Sequence, residues 1–396
     1  MRSILASILL LCLALLPGRA AAPDVVPRSP RAGFVGVDGT QFVLDGKPFR
    51  VAGVNNHYLT YGSDQEVLRM LDDAVALGAN TVRTFLQPVI GSIDGTVPTI
   101  WDFQSKSETS NLGVNGRYML YWDPTRGGMA INWGENGIGR FDMLVAEAKK
   151  RNLRLIVAFL DFWAFTGGAQ QMRAWYGSDD KHRFFFEDPR TRADYRRWVR
   201  EIVEHVNPHT GLAYRDEPTI MAWNLMNEPE AKPERLQESW ISDMAAYVRS
   251  IAPNQLITSG QANVVNRLSD VADPHLDFAV WHGYPLYYRL TPAQFDDRIR
   301  DFCALGQQQN KPVLLEEFGY ARSHPDQAQV YANWLRTIRD TPGCAGWLIW
   351  RLVSRQDHGG YPKDEHDQFD IHNDGGSTWD VLRKAATERH QGADAK

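Results

Sequence analysis

The chain predicts an α/β fold, a (β/α)8 TIM barrel, on three observations. Eight short apolar runs of strand length follow one another along the sequence. Stretches with helical spacing separate most of them, the alternation expected of parallel strands joined by crossover helices. Two of the runs end on carboxylates, in Asn227-Glu228-Pro229 and in Leu315-Glu316-Glu317-Phe318-Gly319. Strand tips of a parallel barrel converge on one face, where such folds keep their active sites.

The elements follow in order. Residues 1–22 read as an export signal: Arg2 is the basic start, Ile4 to Leu16 the apolar stretch, and Pro17-Gly18 breaks it before Ala20-Ala21-Ala22. The apolar stretch is too short to span a bilayer comfortably, so the mature chain is expected to be secreted or periplasmic. Residues 23–33 form a polar, proline-containing tether, and residues 34–396 form a single barrel domain. Within Phe34 to Phe49 the turn dipeptides Asp38-Gly39 and Asp45-Gly46 predict a small β-hairpin ahead of the barrel. The eight runs are Val51–Asn55, Thr81–Phe85, Leu153–Leu160, Ile220–Met226, Leu256–Ser259, Phe278–Trp281, Val313–Glu317 and Gly346–Trp350. Helical spacing recurs in Gln65–Leu77, Arg140–Arg151, Asp194–His205 and Gln327–Arg339. A doubly wound sheet is the structural alternative, but no glycine-rich phosphate loop follows the first run. The longest insertion, from about Gln87 to Trp133, follows the second strand and carries Trp101, Tyr118, Tyr121, Trp122 and Trp133. Such a loop either shapes the mouth of a barrel or packs as a lid or interface.

Composition narrows the function. With 43 basic and 48 acidic residues the net charge is −5, which gives no nucleic-acid footprint. After removal of the signal no membrane attachment is expected, and a monomer is. The mature chain keeps only Cys303 and Cys344, which form either a bridge or two buried thiols; neither count nor spacing suits a metal site. Thirteen Trp, 14 Tyr and 17 Phe supply a core, and they also supply the flat faces on which pyranose rings stack.

Two carboxylates in one cleft are the equipment for glycosidic bond cleavage. In the run from Lys311 to Glu317 side chains alternate, so Val313, Leu315 and Glu317 share one face, taken as inward. Glu316 then faces the helix layer and needs a cationic or donor partner there. Pro229 ends the fourth strand, placing Glu228 at the rim with Asn227 in reach of a sugar hydroxyl. Arg83, inside the second strand, must meet carboxylates and would keep Glu317 ionised. Partial burial and the charge of Glu317 are expected to raise the pKa of Glu228. His282 and Tyr284, at the end of the sixth strand, are placed to orient the carboxylates, and Trp350 to stack under the sugar. Asn55, Asn56 and His57 lie where the first strand reaches the cleft. Plain structural roles are the alternative for each of these residues.

The stretches Asn132–Asp142 (NWGENGIGRFD), Thr210–Glu230 (TGLAYRDEPTIMAWNLMNEPE), Phe162–Trp175 (FWAFTGGAQQMRAW), Lys311–Gly319 (KPVLLEEFG) and Gly346–Leu352 (GWLIWRL) resemble glycoside hydrolase family 5, in its endo-β-1,4-mannanase branch. The resemblance implies Glu228 as acid/base and Glu317 as nucleophile. It also implies Arg83, Asn227, His282, Tyr284 and Trp350 around them, a retaining mechanism, and no metal or organic cofactor. Its implied partner is a β-mannan-type polysaccharide or oligosaccharide. Departures from the pattern fall at Asn224, where members often have Glu, at Asp161-Phe162-Trp163, where an Asn pair often precedes the Trp, and at Leu286-Tyr287-Tyr288. They bear on the subsites: the wall that separates mannose from glucose would come from His282, Tyr284 and the loop carrying Trp163. A β-1,4-glucanase, an exo-acting enzyme of the same family and a non-catalytic carbohydrate-binding barrel are the alternatives.

Overall fold

The computed structural model describes residues 31–102, 108–262, 268–362 and 367–388; the expected export signal and the tether through residue 30 lie outside them. Eight parallel strands form the barrel: β1 (Val51–Asn55), β2 (Thr81–Phe85), β3 (Arg154–Ala158), β4 (Ile220–Asn224), β5 (Leu256–Thr258), β6 (Ala279–Gly283), β7 (Val313–Phe318) and β8 (Cys344–Ile349). Their pairing order is β5-β4-β3-β2-β1-β8-β7-β6. The remaining seam, β5 against β6, is held differently. The Asp277 N–H donates to the Ile257 carbonyl at 2.9 Å, and the Asp277 carboxylate accepts from the Ile257 N–H at 2.7 Å. The Thr258 hydroxyl donates to the Phe278 carbonyl at 2.9 Å. Side chains thus satisfy backbone groups that a regular ladder would have paired.

Amphipathic helices wrap the strands: α1 (Asp64–Leu77), α2 (Ile138–Lys150), α3 (Pro189–Glu204), α4 (Glu234–Ile251), α5 (Pro292–Gln309), α6 (Gln327–Asp340) and α7 (Ser377–Glu388). Local sequence sets their ends. Ser63 and Glu66 form a reciprocal capping box on α1, and Gly78 closes that helix in the left-handed region. Helix α3 begins five residues before the spacing predicts, because Asp188 caps it and Pro189 takes the first helical position.

Two apolar layers result. Leu315, Trp281, Ile349 and their neighbours pack outward against the helices. Val51, Ile156, Ala222, Phe278, Val280, Leu314 and Leu348 fill the interior. The predicted hairpin is a three-stranded antiparallel meander, Val35–Asp38, Gln41–Leu44 and Lys47–Pro48. Its second turn is Asp45-Gly46, both with positive φ, as a tight hairpin turn requires. Val35 and Phe42 join the interior cluster, and Phe42 meets Phe278 edge-on at 5.1 Å. The meander therefore plugs the end of the barrel opposite the strand tips.

The insertion after β2 has structure of its own. Val89–Ser92, Leu120–Asp123 and Gly128–Ile131 form a small sheet. Trp122 packs on Trp175 and Tyr176, and the Asp102 N–H donates to the Ala164 carbonyl at 3.0 Å. The insertion is thus fastened to the loop after β3, which carries Trp163.

Cys303 of α5 and Cys344 of β8 are joined in a disulfide across 41 residues of chain. Closing a loop of that length restricts the unfolded chain by an amount worth roughly 4 kcal/mol in the chain-entropy model. The double variant Cys303→Ser/Cys344→Ser is expected to lose about 2–4 kcal/mol of unfolding free energy, read from urea midpoints. A reductant should lower the midpoint of the parent protein and leave that of the variant unmoved.

Candidate active site

The site begins with an irregularity in β7. Leu314 faces the interior while Val313 and Leu315 face the helix layer, so simple alternation sends Glu316 inward and Glu317 outward. The pairing with β6 then slips: Leu315 lies opposite Trp281, but Glu317 lies opposite His282. One extra residue on β7 is a bulge, which redirects the side chains that follow it. Both glutamates consequently reach the interior, where Glu316 is inaccessible and Glu317 nearly so. The expectations that Val313 and Leu315 point inward and that Glu316 faces the helices are both corrected: the strand has the opposite phase, with Leu314 inward, so alternation itself brings Glu316 inward and the bulge brings Glu317.

Arg83 lies between them, fully buried on β2. Its Nε donates to Asn224 Oδ1 at 2.6 Å, and Nη1 to Asn55 Oδ1 at 3.0 Å and to Glu317 Oε1. Its Nη2 donates to Asn227 Oδ1 at 2.8 Å, and Glu316 Oε2 is 3.3 Å from Nε. Tyr284 donates its hydroxyl to Glu317 Oε2 at 2.5 Å and stacks on Phe369 at 5.2 Å. The nucleophile candidate is therefore held at both oxygens.

Glu228 sits at the rim with φ +48°, a conformation that non-glycine residues adopt only when their surroundings enforce it. Its N–H donates to the Gly260 carbonyl at 2.8 Å. Gly260 is required there: it has φ +76°, and a Cβ would lie 2.2 Å from the Met226 carbonyl oxygen. Glu228 Oε2 accepts from the indole of Trp163 at 2.8 Å. Its Oε1 lies 2.8 Å from His282 Nδ1, whose other nitrogen, Nε2, lies 3.1 Å from Glu316 Oε2.

Electrostatics follow from this arrangement. Burial pushes His282 down, but the charge of Glu317 and the hydrogen bonds to Glu228 and Glu316 lift it to about 9. Burial raises Glu228, yet the hydrogen bond and charge of His282, then Trp163 and Arg83, carry it below its ordinary value. This corrects the expectation of a raised Glu228. Burial leaves Glu317 raised, with His282 and Arg83 opposing and Glu228 adding to the shift. His282 and Glu228 are thus shifted in opposite directions across a single 2.8 Å hydrogen bond.

Arg83, Asn227, Glu228, His282, Tyr284 and Glu317 thus converge, with Trp163 over Glu228. Trp350 is half-buried beside His57 and Phe85, with ring centroids 6.3 and 6.1 Å away, on the side where Arg83 lies 4.9 Å over Phe85. Asn56 is not brought into the cleft. It is fully buried; its amide donates to the Leu352 carbonyl at 2.9 Å, and its oxygen accepts from the Tyr58 N–H at 2.9 Å. Asn224, Asp161 and the inward Glu316 are not assigned to the site in the sequence, whereas Asn55, placed where the first strand reaches the cleft, meets Arg83 there.

One ligand atom each from Glu228, His282 and Glu317 lies within 4.8 Å of the other two, a spacing that could hold a cation. The 2.8 Å separation between Glu228 and His282 is that of a hydrogen bond between them.

A family profile described as GH family 5 beta-mannosidase-like matches residues 132–341. The chain is 28% identical over 426 aligned positions to "Probable mannan endo-1,4-beta-mannosidase C" of Aspergillus terreus, covering 96% of each. It is 29% identical over 375 positions to "Mannan endo-1,4-beta-mannosidase 1" of Oryza sativa subsp. japonica, covering 81% of this chain and 78% of the relative. In fold it matches the endo-1,4-beta-mannanase of Rhizomucor miehei with TM-score 0.76 and 23% identity, over 90% of this chain and 99% of that one.

Asp161 supplies a test of the electrostatics around Asn227, whose amide it binds at 2.9 Å. Burial pushes its carboxyl up to about 7, opposed by that hydrogen bond. A raised carboxyl means that the folded state binds more protons than the unfolded chain between the unfolded pKa and about 7. Its contribution to stability therefore declines as pH rises through that window. Asp161→Asn keeps the acceptor and removes the titration. Relative to wild type it should gain urea resistance at pH 8 and lose that gain below pH 4. A pH-independent difference between the two proteins would refute the assignment.

Proposed function

The chain belongs to the GH family 5 beta-mannosidase-like family, and from that membership we propose that it is a retaining endo-β-1,4-mannanase acting on mannan, glucomannan or galactomannan. The observation that carries this reading is the convergence of Glu228 and Glu317 on one cleft. Their nearest oxygens fall within 4.8 Å, short of the ~6.5–9.5 Å that admits a water in inverting enzymes and near the ~5–5.5 Å of retaining ones. The names of the Aspergillus and Oryza relatives support the substrate. The disulfide suits an oxidising compartment, in keeping with a secreted or periplasmic location.

In this mechanism Glu317, oriented by Arg83 and Tyr284, attacks the anomeric carbon while the glycosidic oxygen takes the proton of Glu228. The bond to the leaving sugar breaks as the bond to Glu317 forms. Glu228, now a carboxylate, then takes a proton from water, whose oxygen displaces Glu317 and restores the original anomeric configuration. Trp163 holds Glu228 toward the cleft, and the Asn227 amide lies beside it for the sugar hydroxyl next to the reacting carbon.

Product NMR on mannopentaose should show initial retention; initial inversion would overturn the mechanism. Glu228→Gln should lower kcat/KM on mannan by about 10²–10⁴, the range for removing a general acid, and Glu317→Gln should lower it at least as far. Mannan is expected to be preferred over soluble β-1,4-glucan by at least about tenfold in kcat/KM, the scale of one buried polar contact. Products should be short oligosaccharides. Equal turnover of the glucan, or release of monosaccharide alone, would favour the glucanase or exo-acting reading.

A further inference from the structure

Glu316 is the one carboxylate of the cluster that substrate cannot touch: its side chain has no solvent exposure. Every partner it has is a component of the site. Its Oε1 accepts from Asn224 Nδ2 at 3.0 Å, and its Oε2 faces His282 Nε2 at 3.1 Å and Arg83 Nε at 3.3 Å. A carboxylate with no proton can only accept, so it selects the form of His282 that carries hydrogen on Nε2. Nδ1 is then the nitrogen left to face Glu228 Oε1 at 2.8 Å. With Nε2–H fixed, two arrangements of one proton share the same total charge: Nδ1–H donating to the Glu228 carboxylate, or the Glu228 carboxyl donating to bare Nδ1.

We propose that Glu316 is a positioning residue for the acid/base step, keeping His282 in the form that holds the catalytic proton for Glu228. As the glycosidic C–O bond breaks, its electron pair takes the proton of Glu228, which Glu228 has drawn from His282 Nδ1. When Glu228 later deprotonates water, the proton returns along the same contact. The inference rests on Glu228 being the acid/base of the mannanase proposed above. A rival account has Glu316 merely balancing the buried charge of Arg83. The two accounts separate, because Asn224 Oδ1 also accepts from Arg83 Nε, at 2.6 Å. Exchanging the pair, as Asn224→Asp with Glu316→Gln, keeps the charge beside Arg83 and preserves the hydrogen bond between the two side chains. It leaves a neutral amide oxygen in place of a carboxylate facing His282 Nε2, so an acceptor remains there while the negative charge that holds the imidazole in its doubly protonated form is gone.

The experiment compares kcat/KM on mannopentaose, whose leaving sugar needs a proton, with kcat/KM on 2,4-dinitrophenyl β-mannobioside, whose leaving group does not. For Glu316→Gln we expect a loss of about 10- to 100-fold on mannopentaose, below the full general-acid effect, and less than about threefold on the aryl substrate. The exchanged double variant should regain the wild-type Tm and keep the selective loss, and it gives the same comparison if Glu316→Gln folds poorly. Equal losses on both substrates, no loss, or full recovery of mannopentaose cleavage in the double variant would each overturn the proposal. Wild-type protein that cleaves neither substrate would overturn the mannanase reading, and this inference with it.

Discussion

A guanidinium with no access to water organises this molecule. Burying the charge of Arg83 without partners would be prohibitive, so the barrel converges on it: Asn55 from β1, Asn224 and Asn227 from β4 and its tip, and Glu316 and Glu317 from β7. Those partners occupy the upper interior, where Leu314, Val280 and Ile156 lie below. The polar layer is satisfied internally and rests on an apolar one. Its side chains therefore have few alternative positions, which is what a site needs to hold a reacting carbon in place.

The bulge in β7 makes this possible. A regular strand would supply one inward carboxylate at its tip, and Arg83 and His282 together call for more than one. Offsetting the strand by one residue supplies two, on adjacent residues with different environments. Glu316 is sealed and serves other side chains, whereas Glu317 opens toward the cleft. Tyr284, one residue beyond β6, reaches the outer oxygen of Glu317, so the slipped pairing also sets where the hydroxyl arrives.

Much of the barrel was legible in sequence, because apolar runs and helix caps are local signals. All eight runs are strands, and α1 and α6 lie within a residue of their predicted bounds. The meander in front was half legible: its two turn dipeptides were visible, but its service as a plug depends on Phe42 meeting Phe278, a contact distant in sequence. Glu228 and Glu317 could be located from strand ends and Pro229. The direction of the Glu228 shift could not, because it is decided by a histidine from β6 and a tryptophan from the loop after β3. Asn56 shows the converse error. Position at a strand tip suggested ligand contact, while its amide closes a backbone gap at Leu352. The facing of Glu316 failed for a definite reason: a barrel strand is apolar on both faces, so the sequence of β7 does not say which alternate set points inward, and the slip that turns Glu317 inward as well is set by pairing with β6.

The plugged end also governs how the protein can be attached to other things. Phe34 enters at that end, and α7 finishes there, with Ala386 and Thr387 beside Gly78 at the close of α1 and Glu388 near Arg339. Both ends of the described domain thus emerge opposite the mouth. A surface, a bead or a fused partner joined at either end would hold the enzyme with its cleft facing outward, open to an insoluble polymer.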